Sequence, residues 1–445
     1  MGIKVCKFGG TSMADGNIIL SSAKIVTADD SRRYIVVSAP GKRFSGDVKV
    51  TDLLYACYDA YEQNNRAVFE ETYERVCARF YAIEREIGKD LQLAPALQAI
   101  KQDILDGAGK DYCVSRGEFL AAHIMAIVLN VPFVDATEFV RIDEHGHLTP
   151  DTYALTGEVL RKYPRAVVPG FYGLGVDGKV KTFSRGGGDI SGALVARGVH
   201  AELYENWTDV SGFYACDPRI VASPAWISEL SYTELRELSY MGASVLHSDS
   251  VFPVRSAGIP IRICNTFRPE DRGTYIVERS KRRTEGKAVT GVAGKRGFTS
   301  ITVEKAMMNT EIGFVEKVLS SIGKRGISFE HLPSGIDTMS LVIDNHFLEE
   351  GVVEEIVADI KASVYPDNVF VHKDIALVAT VGHGMANNVG TSARLFQALS
   401  DSGVNVNMID QGSSELNIIV GVEGSDYVNC IRAIYHEFFG GQTND

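Results

Sequence analysis

"IKVCKFGGTSMADGNIILSSAKIVTA", Ile3 to Ala28, begins as an apolar strand, breaks at Gly9-Gly10, and resumes from Gly16 with apolar residues at helical spacing. Strand, glycine turn and helix in that order open an α/β unit. The same grammar returns in "VKTFSRGGGDISGALVA", Val180 to Ala196. Val180 to Phe183 alternate like a strand, and the small and apolar residues from Ile190 onward fit a helix that begins at an Asp189 cap. Consecutive glycines carry no side chains, so a ligand can approach the backbone and meet N–H groups at a helix N-terminus, where anions are stabilised. Arg185 and Asp189 flank the second loop and point to an anionic ligand. Lys7 gives the first loop a point charge suited to phosphate.

Working outward, "YIVVSAPG" reads as a buried strand ending in a Pro-Gly turn, and Leu53 to Ile104 is rich in charged helices. "VSRGEFLAAHIMAIVLN" reads as a second polar-to-helix start, with Glu118 at its opening, and "PFVDATEF" as another strand. "RAVVPGFYGLGVDGKVKTF" reads as two strands joined by a hairpin that turns at Asp177-Gly178. Its "GLGVDG" matches G-x-G-x-x-G, but a strand follows where a dinucleotide fold needs a helix. "AELYENWT" and "IPIRICNTF" are further strands, the latter closing the unit. Alternating strands and helices predict a largely parallel sheet. Two glycine loops at strand ends then face one crevice, the place where open α/β sheets bind ligands.

The charged run "ERSKRRTEGK", Glu278 to Lys287, separates this unit from a duplicated remainder. Gly313, Gly326 and Gly335 recur at one constant offset as Gly390, Gly403 and Gly412, and Leu319, Ile327 and Leu341 recur as Phe396, Val404 and Ile418. Each copy reads βαββα, too small for elaborate chemistry and suited to sensing or pairing. The division is therefore 1–285, 299–370 and 374–445, with 286–298 a linker able to add a strand to the last module. A chain of 445 residues accommodates about three such domains.

A net charge of −12 disfavours nucleic acid, whose phosphates need clustered Lys and Arg. Seven scattered cysteines without a C-x-x-C pair fit reduced thiols in a cytoplasm, not a zinc site or disulfide framework. The N-terminus has no apolar leader, and no run approaches the ~20 apolar residues of a membrane span. Absent H-E-x-x-H and G-x-S-x-G patterns leave neither zincin nor esterase chemistry indicated.

Taken together, "KFGGTS", "VVSAPG" with "TDLL" (Thr51 to Leu54), "SRGE", "SRGGGD", "WTDVSGFYACDPR", "MGASVLH" and "IPIRICNTF" resemble the aspartate kinases of the amino-acid-kinase superfamily. The resemblance covers essentially the whole chain. It implies an α/β/α sandwich followed by two ferredoxin-like α+β (ACT) modules. The implied reaction is phosphorylation of the side-chain carboxylate of L-aspartate by MgATP, the first step toward lysine, threonine and methionine. By the same resemblance Arg185 clamps the substrate α-carboxylate, Glu118 takes its α-ammonium, and Thr51 and Ser38 help hold it. Lys7, with Gly9 and Gly10, stabilises the phosphoryl group in flight, and Asp189 orients Lys7. Phe8, Gly187, Thr208, Asp209, Tyr214 and Arg219 line the ATP site, and no protein side chain is assigned to the metal. The acceptor carboxylate has a pKa near about 3.9, so it arrives ionised and needs no general base. Where many members carry a lysine thought to reach the ATP phosphates, this chain has Ser244; Lys181 and Lys42 are candidate replacements.

The resemblance further implies feedback control by an amino acid, lysine first and threonine second. The expected site is Met308, Glu311, Gly313, Phe329, Glu330 and Ser334, where modules pair in a homodimer or larger homo-oligomer. Two alternatives stand beside this reading: another amino-acid kinase resembling glutamate 5-kinase, and a non-catalytic amino-acid sensor on the same fold. No membrane or nucleic-acid partner is expected.

Overall fold

The computed structural model describes residues 2–183, 187–243, 245, 246, 248–278, 288–386 and 388–440. Its contacts divide into two units. The first comprises Met1–Phe213, Ser228–Tyr232 and Val245–Ser280. Its seven-stranded sheet runs, in spatial order, Glu229–Ser231, Thr274–Val277, Ile261–Asn265, Leu203–Thr208, Lys4–Phe8, Arg32–Val37, Ala166–Pro169. Every pairing is parallel except that of Thr274–Val277 with Ile261–Asn265. "IPIRICNTF" is thus not the closing strand: Thr274–Val277 follows it and turns back beside it. "PFVDATEF" is not a strand either. The Asp135 side chain accepts from the Thr137 N–H and hydroxyl, which bends Ala136–Glu138 into a short 3₁₀ turn, and only Phe133 bridges to Val167. The Asp177-Gly178 hairpin forms between Tyr172–Gly175 and Val180–Thr182, in a separate small sheet, with Gly178 at φ +75°.

Strand alternation explains the layers. Cys6, Phe8, Ile35, Val37 and Trp207 point into a core shared with the helices Gly16–Thr27, Val50–Glu62, Arg66–Ile87, Leu93–Leu105 and Lys110–Leu129. Tyr204 faces the opposite way, against the helix Gly187–Gly198 at Gly192, where any Cβ would lie 2.5 Å from its hydroxyl. Each fully buried aliphatic or aromatic side chain here is worth ~1.5–3 kcal/mol. The first core also contains a charge. Glu205 is fully buried and accepts from Arg32 Nε at 2.8 Å and from Trp207 Nε1 at 3.1 Å. Losing one partner of such a pair strands a buried charge at a cost of about 3–5 kcal/mol. The Lys110–Leu129 helix is long and apolar enough to cross a membrane by length and composition, and 67% of that window is buried inside the fold.

The second unit comprises Tyr214–Ile227, Thr233–Ser244 and Lys281–Asp445. Its five-stranded antiparallel sheet runs Thr338–Asp344, Gly291–Glu304, Asn368–Val381, Asn417–Glu423, Met408–Asp410. The two long strands serve both copies of the repeat. Phe298–Glu304 pairs with Thr338–Asp344, whereas Gly291–Arg296 pairs only with Ala376–Val381, and Gly297 between them, at φ +90°, interrupts the register. Helices Phe314–Gly323 and Val352–Val364 cover the first copy. In the second copy the corresponding helices are Thr391–Asp401 and Tyr427–Phe439. His331 Nδ1 meets Asp410 Oδ2 at 2.6 Å and ties the copies together.

Candidate active site

Parallel register decides what comes together. Phe8 lies opposite both Val37 and Trp207, and Val37 opposite Pro169. Four strands therefore end in one row, and the segments that follow them, Gly9-Gly10, Ser38-Ala39, Gly170 and Thr208, share one rim. Gly9 N–H donates to the Trp207 carbonyl at 3.0 Å and Ser38 N–H to the Phe8 carbonyl at 3.1 Å. The Phe8 ring itself is buried and stacks on Trp207.

The second glycine loop meets the first across this rim. A Cβ on Gly188 would lie 2.7 Å from Ser38 Oγ and 3.3 Å from Lys7 Cε, and one on Gly170 would lie 3.2 Å from the Gly188 Cα. Only glycine lets the three segments close this far. Asp189 is not the helix cap: the helix starts at Gly187, and Asp189 sits in its first turn. From there its carboxylate holds Lys7 Nζ at 2.7 Å and accepts from Asn206 Nδ2 at 2.9 Å, while its carbonyl accepts from Tyr204 OH at 3.3 Å. Lys7 is 8% exposed, so its ammonium is oriented and largely dehydrated. Asn206 went unnoticed in the sequence; its signal is strand parity with Tyr204, which puts both on the helix-facing side. Residues 184–186, Arg185 among them, and Ser244 lie outside the described residues.

Glu118 is not at a helix start. The helix begins at Lys110, and Glu118 projects from its middle, so charge–dipole stabilisation does not account for it. It is 5% exposed, and its Oε2 has no hydrogen-bond partner among the described residues. Burial pushes its carboxyl up to about 8, partly offset by the Ala39 N–H that donates to it. Gly117 permits that contact, since a Cβ there would fall 2.7 Å from the Ala39 Cβ. A buried carboxyl with one oxygen left without a partner among the described residues has the chemistry to take a cation. Thr51 opens the helix Val50–Glu62, half-buried, one residue after Val50 N–H bonds the Pro40 carbonyl at 3.1 Å. Lys181 is engaged by Asp111 at 3.7 Å, and Lys42 is exposed.

Thr208 ends the Leu203–Thr208 strand and Asp209 follows it, the two joined by a hydroxyl–carboxylate bond of 3.2 Å. Tyr214 and Arg219 belong to the second unit, where Asp217 holds the exposed Arg219 guanidinium through Nε at 3.0 Å and Nη2 at 2.7 Å.

A model of the amino acid kinase family matches residues 2–265, and an ACT domain model matches residues 378–438. Over 457 residues the chain is 38% identical to aspartokinase 3 of Bacillus subtilis, with 99% of each chain covered. The chain belongs to the aspartokinase family. Among solved aspartokinases, the Clostridium acetobutylicum aspartate kinase superposes with a TM-score of 0.92 at 46% identity, covering 98% of this chain and 100% of that one. Aspartokinase III of E. coli, in complex with aspartate and ADP (R-state), gives a TM-score of 0.75 at 26% identity over 98% of this chain and 100% of that one. In complex with lysine and aspartate (T-state), the same enzyme gives 0.78 at 26% identity over 98% of this chain and 99% of that one.

Against this aspartokinase frame the remaining expected residues fall in the first copy of the repeat. Gly313, at φ +79°, caps the Phe314–Gly323 helix, and Met308 is buried in the turn before it. Glu311 is already paired, with Lys305 at 2.5 Å and Lys317 at 2.9 Å. Phe329 is exposed, Ser334 bridges to Met339, and Glu330 accepts a hydrogen bond from the Tyr240 hydroxyl. At the corresponding place in the second copy a cavity of ≈ 460 Å³ is lined by Asn388, Gly390, Thr391, Gln411 and Ser413, among others.

Proposed function

We propose that this aspartokinase transfers the γ-phosphoryl group of ATP to the side-chain carboxylate of L-aspartate, giving 4-phospho-L-aspartate at the head of lysine, threonine and methionine synthesis. The observation that carries the reading is the pairing of Lys7 with Asp189 at 2.7 Å, directly beside the two glycine loops. Because the acceptor is already an anion, catalysis consists of holding two negative groups together and neutralising charge as it shifts. Lys7 supplies the cation, fixed in direction by Asp189. Gly9, Gly10 and Gly187, with the Phe8 backbone, admit the phosphates; Thr208, Asp209, Tyr214 and Arg219 serve the rest of the nucleotide. Glu118 binds the aspartate ammonium, Arg185 its α-carboxylate, and Ser38 and Thr51 its remaining polar atoms.

Among the described residues no group of three or more His, Cys, Asp or Glu side chains is placed to hold a metal. Such a site fits magnesium that arrives on the nucleotide, held by phosphates and water with at most one or two carboxylates. Magnesium would supply charge neutralisation on the phosphate oxygens. The decisive assay is ATP-dependent acyl-hydroxamate formation with aspartate and glutamate side by side. Turnover with glutamate alone would favour the glutamate 5-kinase alternative, and none with either would favour a sensor.

Residues 1–285 form the catalytic domain in this proposal, with 299–370 and 374–445 as regulatory modules acting in a cytoplasmic homo-oligomer. Lysine is the proposed effector, with threonine second, bound around Met308, Glu311, Gly313, Phe329, Glu330 and Ser334. The E. coli complex with lysine supports this at the family level. Since Glu311 is occupied by two lysine side chains, whereas the Glu330 carboxylate is bonded only to the neutral Tyr240 hydroxyl among the described residues, Glu330 is the carboxylate we assign to a cationic effector. Lysine is expected to inhibit, and Glu330→Ala to raise its inhibition constant about tenfold, within the usual span of allosteric coupling. Titrating turnover with lysine, threonine and both checks this. No inhibition by any of them removes the effector claim, and an unchanged constant in Glu330→Ala removes the site.

A further inference from the structure

We propose that Arg79 is a positioning residue for this reaction: its buried guanidinium clamps the turn that carries Ser38, Ala39 and Thr51 against the Gly9-Gly10 loop. The proposal rests on the aspartate kinase reading and concerns the helix Arg66–Ile87, to which that reading gives no role.

Arg79 is 6% exposed, and its fork spans two separate segments. Nη2 donates to the Ala14 carbonyl at 3.0 Å, just beyond the glycine loop, and to the Gly41 carbonyl at 2.5 Å. Nη1 donates to Asp47 Oδ2 at 2.5 Å, farther along the same turn. Asp47 is in turn tied to Arg43, whose backbone N–H and Nε donate to it at 3.0 Å and 2.8 Å. Those bonds, Arg43 first and Arg79 after it, hold the Asp47 carboxyl far below the usual carboxylate range, so the clamp stays charged at any working pH. On the site side, Gly41 N–H donates to the Gly10 carbonyl at 2.8 Å, and a Cβ on Gly41 would lie only 2.5 Å from the Gly10 carbonyl carbon. Pressing the turn this close fixes three things at once. Ser38 faces Gly188, the Ala39 N–H reaches Glu118, and the Pro40 carbonyl receives Val50 N–H and so sets the start of the helix that carries Thr51.

A purely packing residue would not need this chemistry. Arg79 Nε has no hydrogen-bond partner among the described residues, a desolvation cost that an apolar side chain would not carry. What the guanidinium supplies instead is a rigid fork able to hold acceptors on two segments, which an ammonium on a flexible stem does poorly. The clamped turn bears aspartate-side groups, whereas the glycine loop is also held independently by Gly9 N–H on the Trp207 carbonyl and by Ser12 on Thr266. The expected defect is therefore asymmetric.

The test uses the full chain, with parent turnover on aspartate measured first. Arg79→Lys and, separately, Asp47→Asn are each expected to raise KM for aspartate about tenfold, because small misplacements of positioning groups are costly. KM for ATP should stay within about twofold, and Arg79→Met should be worse than Arg79→Lys. The Arg79→Lys/Asp47→Asn double variant should be no worse than the more damaging single, since both break one clamp. Should Arg79→Lys fail to fold, Asp47→Asn carries the same measurement. Lower melting temperatures with both KM values unchanged would overturn the clamp and leave Arg79 a structural residue. Absence of aspartate-dependent turnover in the parent would overturn the kinase reading and this proposal together.

Discussion

Replacing Lys7 with alanine should lower kcat about 10³-fold while KM for aspartate changes only a few-fold. The expectation follows from where the ammonium sits. Lys7 Nζ is 2.7 Å from Asp189, with Asn206 on the same carboxylate oxygen, so the charge is aimed before any ligand arrives. A preorganised donor in a dry site contributes most to the state in which charge is moving, and removing one typically costs about 10²–10³ in kcat. In the proposed site, binding of aspartate is assigned to Glu118 and Arg185 instead, so its KM is expected to be largely spared. Arg185→Ala is expected to show the converse pattern, a raised KM for aspartate with a smaller fall in kcat. Steady-state kinetics on both variants, with urea unfolding to confirm that each is folded, decides the matter. A Lys7→Ala enzyme within tenfold of the parent in kcat would move the phosphoryl-stabilising charge to another residue.

How much of this arrangement the chain announces depends on whether local pattern or long-range packing carries the signal. Strand, glycine and helix are adjacent in the chain, so "KFGGTS" reads as a glycine turn at the end of a strand of the parallel sheet. Parallel register levels the ends of four strands, whereas Gly187 and Gly188 come after a strand of the small sheet and reach the rim by close packing on Phe171, Gly170 and Ser38, which no local pattern announces. Glu118 reads wrongly as a helix start because Ser-Arg-Gly-Glu is polar, and polar runs usually mark termini. Here the run lies buried in mid-helix, with Arg116 packed on Tyr112, Phe119 and Tyr172, while Gly109, at φ +92°, marks the true beginning. Asp189 misreads for a related reason: the glycines before it already belong to the helix. Arg79 is hidden among the charges of "ERVCAR", yet it shares the buried stripe of Thr72, Val76, Phe80 and Ile83. A charge on an apolar stripe is the signal that was present, and only the fold shows which segments it joins. "PFVDATEF" fails because one side-chain cap at Asp135 outweighs β propensity.

Glu118→Gln should raise KM for aspartate about 100-fold and flatten its pH dependence. Losing one partner of a buried charge pair costs about 2–5 kcal/mol, and the amide keeps the shape of the carboxyl without its charge. In the free protein burial holds this carboxyl at about 8, against an ordinary 4.5. Among the described residues three ionisable groups interact with it: Arg116 on its own helix, Tyr55 from the Val50–Glu62 helix and Tyr172 from the Tyr172–Gly175 strand. Burial raises both tyrosines, so they stay neutral across the working range, and of these groups Glu118 is the one that titrates there. Below about 8 the empty site is mostly protonated, and an incoming ammonium must displace that proton. Hence kcat/KM for aspartate should climb with pH and level off near about 8 in the parent. Titration of the substrate's own amino group is common to parent and variant and cancels in their ratio. Stability carries the opposite sign. A raised carboxyl pKa contributes stability that is whole below 4.5 and is lost as pH rises through about 8, because the unfolded chain ionises first. The ligand-free Gln variant, with nothing to ionise, should therefore resist urea better than the parent on the alkaline side and equal it in acid. Superimposable pH profiles for parent and variant would mean that the aspartate ammonium is held by some group other than Glu118.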